Sequence, residues 1–477
     1  MKRSMLWTVI RVEWRSLARE RAVWAVLALF AVLVAYGALG GGQHARAERQ
    51  AIDAALDEEA SRIAHLREEL SAIAAGAPVR HASDPRSALI VGRDLGRRAA
   101  TLPPGALASV SIGQRDLLPH TIHVTTQARL ADGADADAGS PTRRMSGAFD
   151  LAFVFVFLLP LVILALTYDL LAGERERGTL GLVLSQPISL STFILGKAAQ
   201  RAALLIAVVL SLGLLGPALS GGGLSGESAP VRVALYAGLL VAYSAFWFAA
   251  AVAVNAWGRS SAGNALALVG LWLGLVVVIP GLVSVAIDAV HPAPSRVELV
   301  NLARAAASEA EAQASAIEGD HGEDRARVGS DRSARRAVDV QEDLERRVQP
   351  VVDAFRDQLS RQQRLVDRAR FLSPAIVLHE GLNEVAGSGV ARHQRFSEQV
   401  DAFHEAHKRF FFDRIRRGAD LAPADYDAMP RFTYVEEPPA SLARRVGAGL
   451  LGLALPAAAL LALALAGLRR PVNPVSR

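Results

Sequence analysis

Four histidines fall close together late in the sequence, at His379, His393, His404 and His407. His404-Glu-Ala-His407 resembles a zinc helix, but it is one residue short of the His-Glu-x-x-His spacing that sets two imidazoles and a Glu on one face. Residues at i and i+3 still share a face, so a metal pair stays open; the preferred reading is a solvated stripe on a charged helix. Gly196-Lys197 would end a phosphate-binding loop only with Gly at Ser191, Ser or Thr at Ala198 and a strand in front, and the first two requirements fail on sight. Leu219-Ser-Gly-Gly-Gly223 imitates a nucleotide signature, yet its short loop is expected outside the cell, where it reads as a flexible turn. The remaining candidate is the run Glu174-Arg-Glu-Arg-Gly-Thr-Leu-Gly-Leu-Val-Leu-Ser-Gln-Pro187. It offers no nucleophile or metal set. Gly178 breaks the charged run, Thr179 is placed to cap a short helix, Leu180, Leu182, Val183 and Leu184 give that helix an apolar face, and Pro187 ends it. Such a helix suits docking of a soluble partner, and it equally suits an ordinary interfacial loop.

The elements that carry these residues follow from where the apolar residues fall. The chain has 477 residues, 51% hydrophobic, with a net charge of +5 and no cysteine. The weak charge gives no footprint for nucleic acid, and the missing thiols exclude disulfides, iron–sulfur clusters and cysteine nucleophiles. Six long apolar runs, 22–39, 151–171, 202–219, 233–257, 262–287 and 446–468, contain no Asp, Glu, Lys or Arg except Asp169. Each reaches the roughly 17–25 residues that cross a bilayer as a helix. The predicted fold class is an all-α membrane protein with six transmembrane helices and two large, mainly helical extracytoplasmic inserts.

Basic residues set the expected orientation. The segment 1–21 carries Lys2, Arg3, Arg11, Arg15, Arg19 and Arg21, with Leu6, Ile10, Trp14 and Leu17 at helical spacing, which reads as an uncleaved interfacial helix. Loop 172–201 has Arg175, Arg177, Lys197 and Arg201, and the tail 469–477 has Arg469, Arg470 and Arg477. Both termini are therefore expected in the cytoplasm, with the protein in a bacterial inner membrane. The neutral groups inside the runs, Thr167, Tyr168, Tyr243, Ser244, Asn255 and Asn264, lack the carboxylates and histidines that ion-coupled carriers need.

Two inserts lie between the runs, at 40–147 and 291–443. The first opens with an amphipathic helix over 45–75 that continues the first span, then turns irregular; 121–127 alternates like a strand and 131–140 reads as a loop. The second shows helical periodicity over 296–317, 334–371 and 391–415, which suits long helices standing above the membrane.

Glu174-Arg-Glu-Arg-Gly-Thr-Leu180, Leu184-Ser-Gln-Pro187 and Gly196-Lys197 together resemble the segment after the second span of bacterial type-2 ABC exporter permeases. Val12-Glu-Trp-Arg15 with Arg19-Glu-Arg21 is similar to that family's interfacial entry helix. Leu102-Pro-Pro104, Gly113-Gln-Arg-Asp116 with Pro119, Gly147-Ala-Phe-Asp150, Leu372-Ser-Pro374, Gly387-Ser-Gly389 and Pro430-Arg-Phe-Thr-Tyr-Val-Glu-Glu437 resemble a branch with large extracytoplasmic loops. The stretch 296–347 follows no fixed pattern of the family. The resemblance implies a permease subunit with no active site or cofactor of its own. ATP and Mg would be bound by two copies of a separate ABC ATPase subunit, and a second permease chain, the same or similar, would complete the pathway in the lipid. Glu174, Arg175, Glu176, Arg177, Gly178, Thr179, Leu180, Leu184 and Pro187 would form the coupling helix at the ATPase contact. The competing expectation is a non-transporting transducer that moves its outer helices against an external partner. Lipid-like molecules, peptides, antibiotics and metal-linked maturation factors all stay open as substrates.

Overall fold

A computed structural model of the chain describes residues 13–15, 17–78, 84–113, 115, 118–127, 149–186, 189–219, 228–258, 260–290 and 328–468, with 301, 305 and 308. The expected loop at 131–140, nearly all of 296–317, the loop 220–227, Pro187 and the tail from 469 lie outside them. Six helices are long and apolar enough to cross a membrane: α1 (Arg21–Ala74), α2 (Leu151–Glu176), α4 (Leu190–Leu219), α5 (Ala229–Trp257), α6 (Ser261–Val290) and α11 (Pro439–Leu468). A short helix, α3 (Leu180–Leu184), joins α2 to α4. The outer part contains α7 (Val328–Ala369), α8 (Pro374–Ala386), α9 (Val390–Arg417) and α10 (Pro423–Ala428). β1 (Arg98–Thr101) and β2 (Thr121–Val124) pair antiparallel, Arg98 opposite Val124 and Thr101 opposite Thr121. Periodicity revealed neither β1 nor α8.

Prolines inside the apolar helices shape the bundle. A proline has no N–H, so it leaves a carbonyl one turn back without its helical partner, at a depth where no water replaces it. Pro217 cannot serve Gly213, and the Tyr236 hydroxyl of α5 donates to that carbonyl at 3.1 Å. Pro160 cannot serve Val156, which receives the Tyr243 hydroxyl at 2.8 Å. Around Pro160 and Pro280 the helices widen into π turns over Val154–Leu158 and Leu273–Val278. The Leu275 carbonyl, which a proline at 280 leaves free in such a turn, takes the Ser373 hydroxyl from the start of α8. The same serine caps α8 by accepting from the Ala375 N–H.

The two inserts fold as one unit. α1 is about 80 Å long, and only its first half is needed to cross a bilayer. On its outer half Ile63, Leu66 and Leu70 pack with Val91, Val338, Phe411, Phe412, Ile415, Tyr426 and Met429. A second small core joins the two strands to Phe396, Val400 and Phe403. Gly41 makes the lower junction possible: a Cβ there would come within 2.0 Å of the Ser109 carbonyl oxygen. α8 does not stand in this unit alone. Gly381 packs on Leu239 of α5 and Val377 on Gly449 of α11, so α8 sits between the outer ends of the long helices.

The histidine pair corrects the expectation of a solvated stripe. His404 and His407 are both buried, because their helix face turns onto the strand region rather than to water. His404 Nε2 lies 2.9 Å from the Gln127 carbonyl oxygen. The His407 ring lies between Phe403 and Phe411, with neither nitrogen hydrogen-bonded. The described residues hold no cluster of three or more metal-ligating side chains. Burial, followed by the charges of His404 and Arg98, holds the His407 pKa down to about 3. The unfolded chain takes up that proton near pH 6.5 while the folded one does not. Stability should therefore fall as pH drops from about 6.5 towards 3, by at most about 1.4 kcal/mol per unit from this site. Thermal unfolding of H407F between pH 7 and pH 5 should show a correspondingly flatter slope, and an unaltered slope would refute the assignment.

Candidate docking site

The near ends of α2, α4, α5, α6 and α11 meet around α3. Leu170, Leu171, Ile194, Ala198, Val252, Ala253, Ala464 and Leu468 form a buried apolar cluster there, with Leu180 packed against it. α2 ends in the charged turn Glu174–Arg177, and Gly178 adopts φ +73°, which turns the chain into α3. The Thr179 hydroxyl turns back and donates to Glu174. Leu182 projects outward with 77% of its surface exposed. Leu184 lies in α3, and Pro187 is outside the described residues.

The charged candidates are all bonded within the chain, although Glu176 and Arg177 stay exposed. Glu174 is bonded to Lys197 of α4 at 2.8 Å. Arg175 donates to the Gly258 carbonyl at the end of α5. The Glu176 carboxylate accepts from the Ser261 N–H at 2.7 Å and the Ser261 hydroxyl at 2.8 Å, at the N-terminus of α6, where the helix dipole favours negative charge. Arg177 folds over its own turn to the Gly173 carbonyl. The loop before α3 is thus tied to α4, α5 and α6 at once.

Three partners escaped the sequence reading. Lys197 and Arg201 count as loop cations in the sequence, yet both are buried on α4. Arg201 reaches Glu13 at 3.1 Å and Asp169 at 3.2 Å, and Lys197 lies 3.8 Å from Glu13. Glu13 precedes α1 in the chain, so this ionic knot joins the segment before α1 to α2 and α4. Their spacing of four on a helix, next to an otherwise charge-free run, was the available signal. Removing one partner of such a buried pair costs about 3–5 kcal/mol, because the other charge is left uncompensated.

The neutral polar residues are structural. Asn255 donates to the Thr167 and Ala251 carbonyls, both at 2.9 Å, and its oxygen accepts from the Leu171 N–H and from Asn264 at 3.1 Å. Asn264 also donates to the Tyr168 carbonyl. Thr167 and Ser244 bond back to their own helices.

A second ionic joint lies at the outer ends. Arg232 of α5 is 2% exposed and donates to the Glu384 and Val385 carbonyls at the end of α8. Arg445 of α11 bonds Glu384 and Glu437, both at 2.6 Å. Arg392 of α9 pairs with Glu436 and donates to the Pro103 carbonyl. Burial pushes the Glu437 carboxyl up, but hydrogen bonds from Arg445 and Ser441 with the charge of Arg395 outweigh it and leave it below the usual range.

The comparisons agree with this architecture. The family model described as ABC-2 family transporter protein matches residues 7–465. A probable ABC transporter permease protein NosY of Stutzerimonas stutzeri is 42% identical over 60 residues, or 13% of this chain. That alignment spans 22% of the relative's length. The chain belongs to the ABC-2 transporter family: it is a multi-pass membrane protein and a membrane subunit of an ABC transporter. The Asn255 knot gives a direct test of its near-end packing. N255L strands the Leu171 N–H and the Asn264 amide, and should cost about 2–4 kcal/mol. A loss of several degrees in thermal unfolding in detergent checks this, and an undiminished melting temperature would contradict the role.

Proposed function

We propose that this ABC-2 family permease couples ATP hydrolysis by a separate ATPase subunit to export of a substrate across a bacterial inner membrane. Two ATPase subunits, holding ATP and Mg, would lie beneath two permease chains, identical or similar. Both termini would face the cytoplasm, as the basic residues around the near ends favour. The observation that carries the reading is the exposed Leu182 on a five-residue helix whose leading flank is braced to three other helices.

In this reading Arg177, Thr179, Leu180, Leu182 and Leu184 make the contact, with Gly178 providing the turn and Pro187 the stop. Glu174, Arg175 and Glu176 carry its motion into α4, α5 and α6. The chain itself has no catalytic step.

The outer ionic joint favours a second reading. Because Arg232 and Arg445 link α5 and α11 to the outer unit, tilting those helices would move the unit against an external partner, with no cargo passing between the spans.

Co-purification from a mild detergent extract tests the coupling. Wild type should bring down an ATPase subunit. Burying one leucine is worth about 1.5–3 kcal/mol, so L182D should weaken recovery at least about tenfold while the chain still inserts. Deleting residues 175–184 should abolish nucleotide coupling. Undiminished ATPase recovery and coupling in both variants would overturn the docking assignment.

A further inference from the structure

Between α7 and α8 the chain makes a turn at Arg370–Leu372, followed by Ser373. Two large apolar side chains there face outward, Phe371 at 49% and Leu372 at 61% exposed. The depth of this turn follows from what it touches. Phe371 lies against Gly452 of α11, and Ser373 bonds the Leu275 carbonyl of α6. At 1.5 Å per residue, Leu275 stands about 21 Å and Gly452 about 24 Å above the near ends of their helices. Against a hydrocarbon core of about 30 Å, the turn lies roughly 6–9 Å beneath the far boundary. Phe371 and Leu372 therefore point among acyl chains, and the Arg370 guanidinium lies over the Phe371 ring while pairing with Glu380.

Immediately above, α7 carries Arg361, Arg364 and Arg368 at i, i+3 and i+7, which is one helix face. All three are exposed, and among the described residues none forms an ion pair or hydrogen bond. Asp357 and Asp367 lie within reach by spacing, yet Asp367 is bonded to Gln363 instead. Arg201, Arg232 and Arg445, by contrast, are each paired with a carboxylate. Arg368 stands about 4 Å above Phe371 and Arg361 about 15 Å above it, which spans the headgroup layer. The Gln362 contact to Asp288 at 3.4 Å agrees to within about 6 Å, since Gln362 is about 14 Å above Phe371 and Asp288 about 20 Å further up α6 than Leu275.

We propose that this turn and arginine stripe form a binding site for anionic phospholipid headgroups in the far leaflet. The guanidiniums hold phosphate oxygens in bidentate fashion, and the apolar turn fixes the height of the stripe by sitting among the first acyl carbons. A soluble anion would use the arginines but leave Phe371 and Leu372 without a role.

Full-length protein in mild detergent, offered phosphatidylglycerol or phosphatidylcholine and examined by native mass spectrometry, tests the site. Wild type should retain phosphatidylglycerol at least about tenfold better, as expected of three basic side chains near an anionic surface. The triple variant R361Q/R364Q/R368Q should bring the ratio close to one with its melting temperature unchanged. The single variant R364Q serves if the triple variant does not fold, and should lower the ratio several-fold. A ratio near one in wild type, or one unaltered in the variants, would overturn the proposal. Because the chain has no cysteine, a spin label at L372C is unique and reports its own surroundings in phosphatidylcholine–phosphatidylglycerol vesicles. Greater access to oxygen than to a water-soluble nickel complex is expected. Access to the nickel complex, or dipolar coupling to a label on a second copy, would overturn the placement of the turn in lipid.

Discussion

Backbone groups buried away from water must find partners, and that constraint organises this bundle. Pro160, Pro217 and Pro280 each remove a donor from a helix that has no solvent to repair the loss. The repairs come from other helices: Tyr243 to Val156, Tyr236 to Gly213, and Ser373 to Leu275. Each repair fixes the rotation and height of two elements relative to each other. Tyr236 and Tyr243 are two turns apart on α5, so one face of that helix is read by α4 and α2 together. Trp272 adds a further link by donating to the Phe157 carbonyl beside the widened turn of α2. Apolar packing alone would allow these helices to slide, because one methyl-lined face resembles another. Directional bonds to particular carbonyls set the register.

Charge is handled by the opposite rule. It is absent from the middle of the spans and gathered at both ends into paired knots. At the near end Glu13, Asp169, Glu174, Lys197 and Arg201 join the segment before α1 to α2 and α4. At the outer end Arg232, Arg392 and Arg445 join α5, α9 and α11 through Glu384, Glu436 and Glu437. A buried ion pair resists separation more than it adds net stability. These knots therefore act as fixed joints at the two ends, complementing the directional bonds that hold the register between them.

Much of this architecture is legible in the residues themselves. The six spans are readable because a charge-free run of about 20 apolar residues matches the thickness of a bilayer and is rare in a water-soluble helix. The 54-residue α1 is readable because its apolar stripe continues past the first span into charged sequence. α8 is not, since Pro374–Ala386 mixes His379, Glu380 and Glu384 with apolar residues and is too short for a clear period. Its contacts in space, such as those of Gly381 and Val377, reveal that it packs between spans. The histidine pair misleads for a related reason: Phe403 and Phe411 flank His407 at helical spacing, and that aromatic stripe is the sign of burial. Around α3, residue types correctly suggest a charged collar beside an apolar helix. They do not tell which way Glu174 and Glu176 face, because the answer depends on Lys197 and Ser261 meeting them in space.

The outer unit also constrains the order in which the chain completes its fold. The outer half of α1 emerges early, with Ile63, Leu66 and Leu70 on one side and only Ala88, Val91 and their neighbours nearby in sequence to cover them. Their cover includes Phe411, Phe412 and Met429. The Tyr426 hydroxyl donates to the Pro85 carbonyl across a sequence separation of 341 residues. Closing so long a loop is slow compared with local helix formation. By then five spans have been made, and each crossing shortens the effective distance that the closing segment must search. Membrane insertion thus does for this unit what short loops do for a small soluble domain: the spans tether both halves above the same patch of bilayer. The unit reads as two inserts in the sequence and becomes one body only when α9 and α10 return to α1, immediately before the last span begins.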